Sequence, residues 1–80
     1  MLRIRLFGPL QDVVGADRVE LPHAGPITVS ELWTLLEARY PDLSAWRTIC
    51  RVAVDGRYVR AEAEITDPEE IALLPPVSGG

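Results

Sequence analysis

The residues best suited to chemistry lie at the carboxyl end of the sequence, where Gly79 and Gly80 follow Ser78. Glycine has no Cβ, so this segment can lie against the backbone of another protein and pass through a narrow channel. The carbonyl carbon of Gly80 is also the least hindered acyl carbon that a protein can offer. The pattern therefore indicates chemistry at that carbon. A terminus without a function is the alternative, since final residues are often small and disordered.

A rigid segment connects this end to the rest of the chain. Pro75 and Pro76 cannot donate hydrogen bonds to a β-ladder, so they end the strand that precedes them and stiffen its continuation. We therefore divide the chain into a folded domain, residues 1–74, and an extended C-terminal tail, residues 75–80. The tail residues expected to thread into a partner ahead of Gly80 are Pro75, Pro76, Val77, Ser78 and Gly79.

Elsewhere the sequence contains no conventional catalytic constellation. Its single histidine, His23, lies in a Pro/Gly loop without a partnered nucleophile, so a structural or neutral role is favoured over a triad. Its single cysteine, Cys50, is interpreted as a small apolar residue, with a reactive thiol as the alternative. One cysteine forms neither an internal disulfide nor a cysteine-based metal cage. We expect no metal site and no self-contained enzyme.

The composition predicts a small acidic protein that acts through partners. Its 80 residues carry a net charge of −4, and all eight basic residues are arginines. A chain of this size buries roughly 60% of its surface, which allows one core but no deep active-site cleft. The acidic balance disfavours nucleic acid as a partner. We expect a cytoplasmic protein without a membrane segment, since no apolar run approaches roughly 18 residues and Gln11 interrupts the N-terminal segment too early for a signal peptide.

Alternation of apolar and charged residues predicts the strands that position the tail. Leu2, Ile4 and Leu6 alternate with arginines, which is typical of a half-buried strand. A short helical turn over residues 10–14 separates it from its hairpin partner. The other predicted strands cover residues 18–21, 52–54, 57–59 and 71–74. Asp55-Gly56 is a favoured pair for a type I′ hairpin turn.

One long helix is predicted to cover this sheet. Thr28 and Glu31 match a capping box, and Pro41 ends the helix because it disfavours helical geometry in the residue before it. The apolar stripe between these limits consists of Val29, Leu32, Trp33, Leu36 and Tyr40. The order β-β-α-β-β-β, with a mixed sheet under one main helix, indicates the α+β class. The ubiquitin-like β-grasp roll is its commonest form at this length.

These motifs together resemble a known family. The matching segments are Phe7-Gly8, Val14-Gly15, Thr28-Val29 with Leu32 and Leu36, the hairpin from Val52 to Val59, and the end from Leu74 through the diproline to Gly80. Over its whole length the chain is similar to the small, sulfur-carrier subunits of molybdopterin synthase, which belong to the ubiquitin-like sulfur-carrier family. The diproline-Val-Ser-Gly-Gly end is the most specific part of this resemblance.

The resemblance implies a function for the tail. An E1-like adenylyltransferase would use ATP to form an acyl adenylate at Gly80, and a cysteine desulfurase or rhodanese-type sulfur donor would convert it into a thiocarboxylate. The tail would then enter the large subunit of the synthase, a heterotetramer, and donate sulfur to cyclic pyranopterin monophosphate in molybdenum cofactor biosynthesis. The carrier itself would bind no cofactor.

Strand parity predicts a docking surface for that large subunit. If the apolar residues of the first strand face the helix, the side chains of Arg3, Arg5 and Phe7 lie on the opposite face. By the same argument Leu74 points outward from the last strand. An exposed apolar patch with a polar rim is typical of a partner site. The alternative is that Phe7 folds over the sheet edge as part of the core.

The charge pattern after Ala61 is one-sided. The five acids of this segment, with no base among them, are Glu62, Glu64, Asp67, Glu69 and Glu70. They form a solvated face or, if they lie near the exit of the tail, steer it towards a basic channel mouth.

Three other functions remain open from the residues. A thiamine-pathway sulfur carrier would use the same Gly-Gly chemistry with thiazole synthase as the acceptor. A ubiquitin-like protein modifier would attach Gly80 to lysines of target proteins. In a plain interaction module the Gly-Gly end would be incidental.

Overall fold

The described part of the chain comprises residues 1–68 and 70–76 of a computed structural model and contains seven strands, two α-helices and one 3-10 helix. The strands are β1 (Leu2–Leu6), β2 (Arg18–Leu21), β3 (Ile27–Thr28), β4 (Arg51–Val54), β5 (Arg57–Val59), β6 (Glu64–Ile65) and β7 (Ile71–Leu74). The helices are α1 (Pro9–Val14) and α2 (Val29–Arg39), followed by a 3-10 helix over Pro41–Ala45. The five longer strands and the long helix lie where the sequence predicts them.

Five strands form one mixed sheet in the order β2-β1-β7-β4-β5. β1 runs antiparallel to β2 and parallel to β7, and β4 runs antiparallel to both β7 and β5. The parallel register pairs Ile4 with Ile71 and Leu6 with Leu73. The strand that leads into the tail therefore lies at the centre of the sheet, with a neighbour on each side.

The core lies between this sheet and α2. Alternate residues of β1 and β7 are buried, and the inward side chains of β7, Ile71 and Leu73, have an exposed fraction of 0%. They form one cluster with Leu32 and Leu36 of α2. The period of two along the strands and the helical stripe thus meet in a single apolar layer. The predicted α+β class and ubiquitin-like β-grasp architecture are confirmed.

Local signals set both ends of α2. The backbone N–H of Glu31 donates to Thr28 Oγ1 at 3.1 Å, and the N–H of Thr28 donates to Glu31 Oε1 at 2.9 Å, which completes the predicted capping box. At the other end Pro41 follows the C-cap residue Tyr40. Among the described residues, no helix is both long and apolar enough to span a membrane.

Two short strands were missing from the predicted order. β3 and β6 pair antiparallel, Ile27 with Ile65, as a separate two-stranded sheet. Each has only two residues, so neither shows the alternation by which longer strands are predicted. The predicted β4–β5 turn is confirmed, since Asp55 and Gly56 both have positive φ, 48° and 85°, as a type I′ turn requires.

Candidate functional site

One face of the five-stranded sheet packs under α2, and the other face, the open face, carries the candidate site. The charged residues of β1 point to the open face because they alternate with buried ones. In β7 Leu73 is buried, whereas Leu74 is half-buried on the opposite side. The open face comprises the side chains of Arg3, Arg5, Phe7, Arg18, Glu20, Arg51, Ala53, Tyr58, Ala72 and Leu74.

A groove of about 730 Å³ lies on the open face where β7 ends. The residues that line it, and define what we call the tail-exit groove, are Phe7, Ile49, Arg51, Tyr58, Leu74, Pro75 and Pro76. Phe7 and Leu74 thus lie together, as strand parity predicts. Because the first two tail residues are also part of the groove, a protein that binds the tail must approach this surface.

Arg5 holds the aromatic wall of the groove. Its guanidinium carbon lies 5.1 Å from the centroid of the Phe7 ring, a cation–π distance, and its Nη1 lies 3.7 Å from Glu70 Oε1. Phe7 is half-buried and does not belong to the buried core cluster. The geometry favours the open-face interpretation over a core role, while partner binding by Phe7 stays a prediction.

The opposite wall contains residues that sequence reasoning missed. The Arg51 guanidinium carbon lies 5.4 Å from the Tyr58 ring centroid. Tyr58 is 66% exposed and Ile49 is 51% exposed, although both side chains are large and hydrophobic. Parity could have found Arg51 and Tyr58, because each is next to an inward valine in a predicted or observed strand. No such signal existed for Ile49, which precedes β4 in a segment without regular structure.

Arg3 lies outside the tail-exit groove. It shares the open face, but it is four positions before Phe7, a distance of about 13 Å along a strand. Its Nε is 3.9 Å from Glu20 Oε2, and both side chains are largely exposed. Of the predicted interface residues, the structure therefore brings Phe7, Leu74 and Arg5 together and leaves Arg3 at the other end of β1.

The structure describes the first two residues of the predicted tail. Pro75 and Pro76 line the groove. Val77, Ser78, Gly79 and Gly80 lie outside the described residues. Their predicted roles, and the division at residue 75 between domain and tail, stay predictions.

The acidic residues after Ala61 do not all lie near the exit of the tail, which was one of the two interpretations of this segment. Glu70 immediately precedes β7, at the end of that strand opposite to Pro75, so this acid does not lie at the exit of the tail. Glu62, Glu64, Asp67 and Glu70 are exposed, which suits the solvated-face interpretation, and Glu69 lies outside the described residues. The charged side chains that line or contact the groove walls are Arg51 and Arg5.

The remaining candidate residues form no second site. His23 Nε2 lies 3.4 Å from the carbonyl oxygen of Pro26 in its own loop. Burial raises the pKa of the Cys50 thiol, which lowers its thiolate fraction and favours the apolar interpretation. In residues 1–68 and 70–76 there is no group of three or more His, Cys, Asp or Glu side chains able to hold a metal.

Comparison with known proteins relates this geometry to a family. A family model described as the ThiS family matches residues 4–80. A molybdopterin synthase sulfur carrier subunit of Dictyostelium discoideum is 33% identical over 82 residues, which cover 98% of this chain and 94% of the relative. Among solved structures, SAMP1 from Haloferax volcanii has a TM-score of 0.82 at 27% identity and is covered over 98% of its length by 99% of this chain.

A second solved structure shows the fold alone. It is the complex of subunits 1 and 2 of the molybdopterin-converting factor from Helicobacter pylori, with a TM-score of 0.68 at 24% identity. The match covers 99% of this chain and 97% of that one.

Proposed function

The chain belongs to the ThiS family, and we propose that it is the sulfur-carrier subunit of a molybdopterin synthase. The observation that carries this proposal is its similarity, over nearly the whole length of both chains, to a relative of that name. The geometry is compatible with it, since the central strand of the sheet leads directly into the diproline of the tail. The carrier supplies a group, and its partners supply the acid–base residues and the nucleotide site.

The proposed chemistry begins by activating Gly80. A carboxylate is a poor electrophile, because attack on it adds negative charge to an anion. An oxygen of the Gly80 carboxylate attacks the α-phosphorus of ATP bound to the E1-like enzyme, and pyrophosphate leaves. A persulfide sulfur of the donor then attacks the acyl carbon and displaces AMP. A second thiol reduces the resulting acyl disulfide, which leaves the thiocarboxylate. This use of ATP predicts a cytoplasmic location.

The tail-exit groove is the proposed binding surface for both enzymes that handle Gly80. Phe7 and Leu74 offer apolar area beside the point where the tail leaves the sheet. The activating enzyme and the large subunit must each reach that point, so we infer that they bind the same surface and exclude one another. Aromatic side chains and arginine are the residue types enriched at such interfaces.

Charge adds a property of the partner surface. Among the described residues, the open face holds four arginines, Arg3, Arg5, Arg18 and Arg51, against two acids, Glu20 and Glu70. The whole chain nevertheless carries a net charge of −4. This separation favours a partner whose docking surface carries carboxylates, because complementary potentials speed association and reject other partners.

A second candidate function is that of a protein modifier. It is favoured by the similarity to SAMP1, which belongs to the small archaeal modifier proteins. Activation of Gly80 would be the same, but the acyl group would pass to a lysine amine of a target protein. With no lysine of its own, this chain could be attached singly but could not form lysine-linked chains on itself.

Intact mass spectrometry of the untagged protein tests the proposal. After incubation with the activating enzyme, ATP and a persulfide donor, we expect a species in which sulfur replaces one oxygen at Gly80. A variant without Gly79 and Gly80 is the control and stays unmodified. Transfer of that sulfur to the pyranopterin substrate, in the presence of the large subunit, identifies the synthase.

Other outcomes would contradict the proposal. Transfer to thiazole synthase alone would identify the thiamine pathway instead. Gly-Gly remnants on lysines of other proteins, without transfer to the pterin, would identify a modifier. A persistent free carboxylate together with unimpaired function of the truncated variant would leave only an interaction module.

A further inference from the structure

Gly8 forms a corner that only glycine adopts readily. β1 ends at Leu6 and α1 begins at Pro9, so the chain must turn within two residues. Gly8 makes this turn with φ 59° and ψ −135°, a combination that a Cβ disfavours. Hydrogen bonds hold the corner, among them one from the Leu10 N–H to the Phe7 carbonyl at 3.3 Å. The Gln11 side chain donates from Nε2 to the Leu6 carbonyl at 3.0 Å, and the Gln11 N–H donates to the Gly8 carbonyl at 3.1 Å.

This corner lies against the first residue of the tail. The parallel register that pairs Leu6 with Leu73 brings Gly8 level with Pro75. A Cβ on Gly8 would lie 3.2 Å from Pro75 Cγ, closer than ordinary van der Waals contact. The other described glycines with positive φ are Gly15, Gly25 and Gly56, and a Cβ on any of them would have no atom within 4 Å. Gly8 therefore combines a φ that would strain any other residue with a close contact to the tail.

We propose that Gly8 is a positioning residue for the tail. The Pro75 ring packs against its bare Cα, and this contact directs the chain as it leaves the sheet. Pro75 has no N–H with which to extend the β7 ladder, so packing of its ring against Gly8 replaces a ladder hydrogen bond in orienting it. The five residues that follow Pro75 span at most about 18 Å when extended. The direction that the chain takes at Pro75 therefore sets where the tail starts towards a partner.

The functional part of this inference rests on the proposed carrier function. Misplacing a reacting atom by about 1 Å can cost as much as ~100-fold in rate. We expect Gly8→Ala to lower kcat/KM for adenylation of Gly80 at least about tenfold. Gly15→Ala is the matched control, because it also places a Cβ at positive φ but touches nothing. It should leave kcat/KM within about twofold of wild type.

Rescue separates positioning from general strain. Pro75→Ala removes the Cγ that the new methyl would meet, so Gly8→Ala should lower kcat/KM far less in the Pro75→Ala background than in the wild type. Equal losses in both backgrounds, or equal losses for Gly8→Ala and Gly15→Ala, would overturn the proposal. Strain at position 8 would persist in both backgrounds, and a merely structural role would therefore show no rescue.

A second measurement, on the unmodified protein, tests the contact between Gly8 and Pro75 even if Gly8→Ala does not fold. Proton NMR should give a nuclear Overhauser effect between the Gly8 α-protons and the Pro75 γ-protons. Its absence from the folded wild type would refute the contact. If the wild-type protein is never adenylated, the proposed function is refuted. The nuclear Overhauser effect still decides whether the Pro75 ring contacts Gly8.

Discussion

The two faces of the central strand carry similar residues in different roles. Leu73 and Leu74 are adjacent and chemically identical, yet Leu73 is fully buried under α2 and Leu74 lines the tail-exit groove. The same contrast separates buried Leu6, the last residue of β1, from half-buried Phe7, which follows it. Complete burial of such a side chain contributes about 1.5–3 kcal/mol to folding. The outward residues leave part of that free energy available for a partner.

Polar contacts on the open face add little to the stability of the fold. The Arg3–Glu20 and Arg5–Glu70 pairs are exposed, with N–O distances of 3.9 and 3.7 Å. Exposed ion pairs of this kind contribute roughly 0–1 kcal/mol. On the covered face stability comes from apolar burial, whereas on the open face charge and aromatic rings are arranged for recognition. Three predictions test this division, and a fourth tests the cap of α2.

The largest effect is expected on the covered face. Leu73→Ala should lower the free energy of unfolding by about 2–5 kcal/mol, because it leaves a cavity in the core. Total stability for 80 residues is roughly 4–12 kcal/mol, so this variant is close to unfolding. Urea denaturation measures the loss. Leu74→Ala is the matched control and should cost less than half as much, and equal losses at both positions would contradict the two-face division.

Phe7 should show the reverse pattern. Phe7→Ala is expected to weaken binding of the large subunit by about 2 kcal/mol, or roughly 30-fold in Kd, because it removes an aromatic anchor from the groove. Titration calorimetry measures the affinity, and urea denaturation should remain cooperative. Loss of cooperative unfolding would show that Phe7 belongs to the core.

A smaller effect is expected on the rate of association with the large subunit and on its dependence on ionic strength. Arg51→Glu is expected to slow association with the large subunit several-fold at low salt and to reduce its salt dependence, because the groove loses positive charge. Arg39→Glu makes the same charge change at the end of α2 and serves as the control. A wild-type on-rate that does not change with salt would eliminate electrostatic docking on the open face.

The smallest effect is a pH dependence at the start of α2. Hydrogen bonds, first that from the Thr28 backbone N–H, lower the pKa of the Glu31 carboxyl in the folded state. A lowered folded pKa stabilises the protein above the unfolded value of about 4.3, and the contribution is lost as pH falls through the folded pKa. The stability difference between wild type and Glu31→Gln should therefore shrink in acid. A difference that stays constant across urea titrations in that range would contradict this assignment.

The candidate site was predictable where neighbouring residues carried the information. Parity along β1 places Arg5 and Phe7 on one face, because successive side chains of a strand alternate. Ile49 could not be assigned in this way, since it belongs to no strand and reaches the groove only through the fold of the segment before β4. The alternative in which Glu70 lies near the tail exit does not hold, because Glu70 and Pro75 flank β7 and an extended strand keeps its two ends apart.

By itself, the sequence determined the elements whose causes are local. The capping box at Thr28, the turn at Asp55 and the alternation in β1 each depend on contacts within a few residues. Tertiary structure alone decided that β7 inserts between β1 and β4. That choice joins residues far apart in the chain, and burial of the whole apolar layer selects it. It placed Arg51 opposite Leu74 and Gly8 beside Pro75, and so created the groove from which the tail begins.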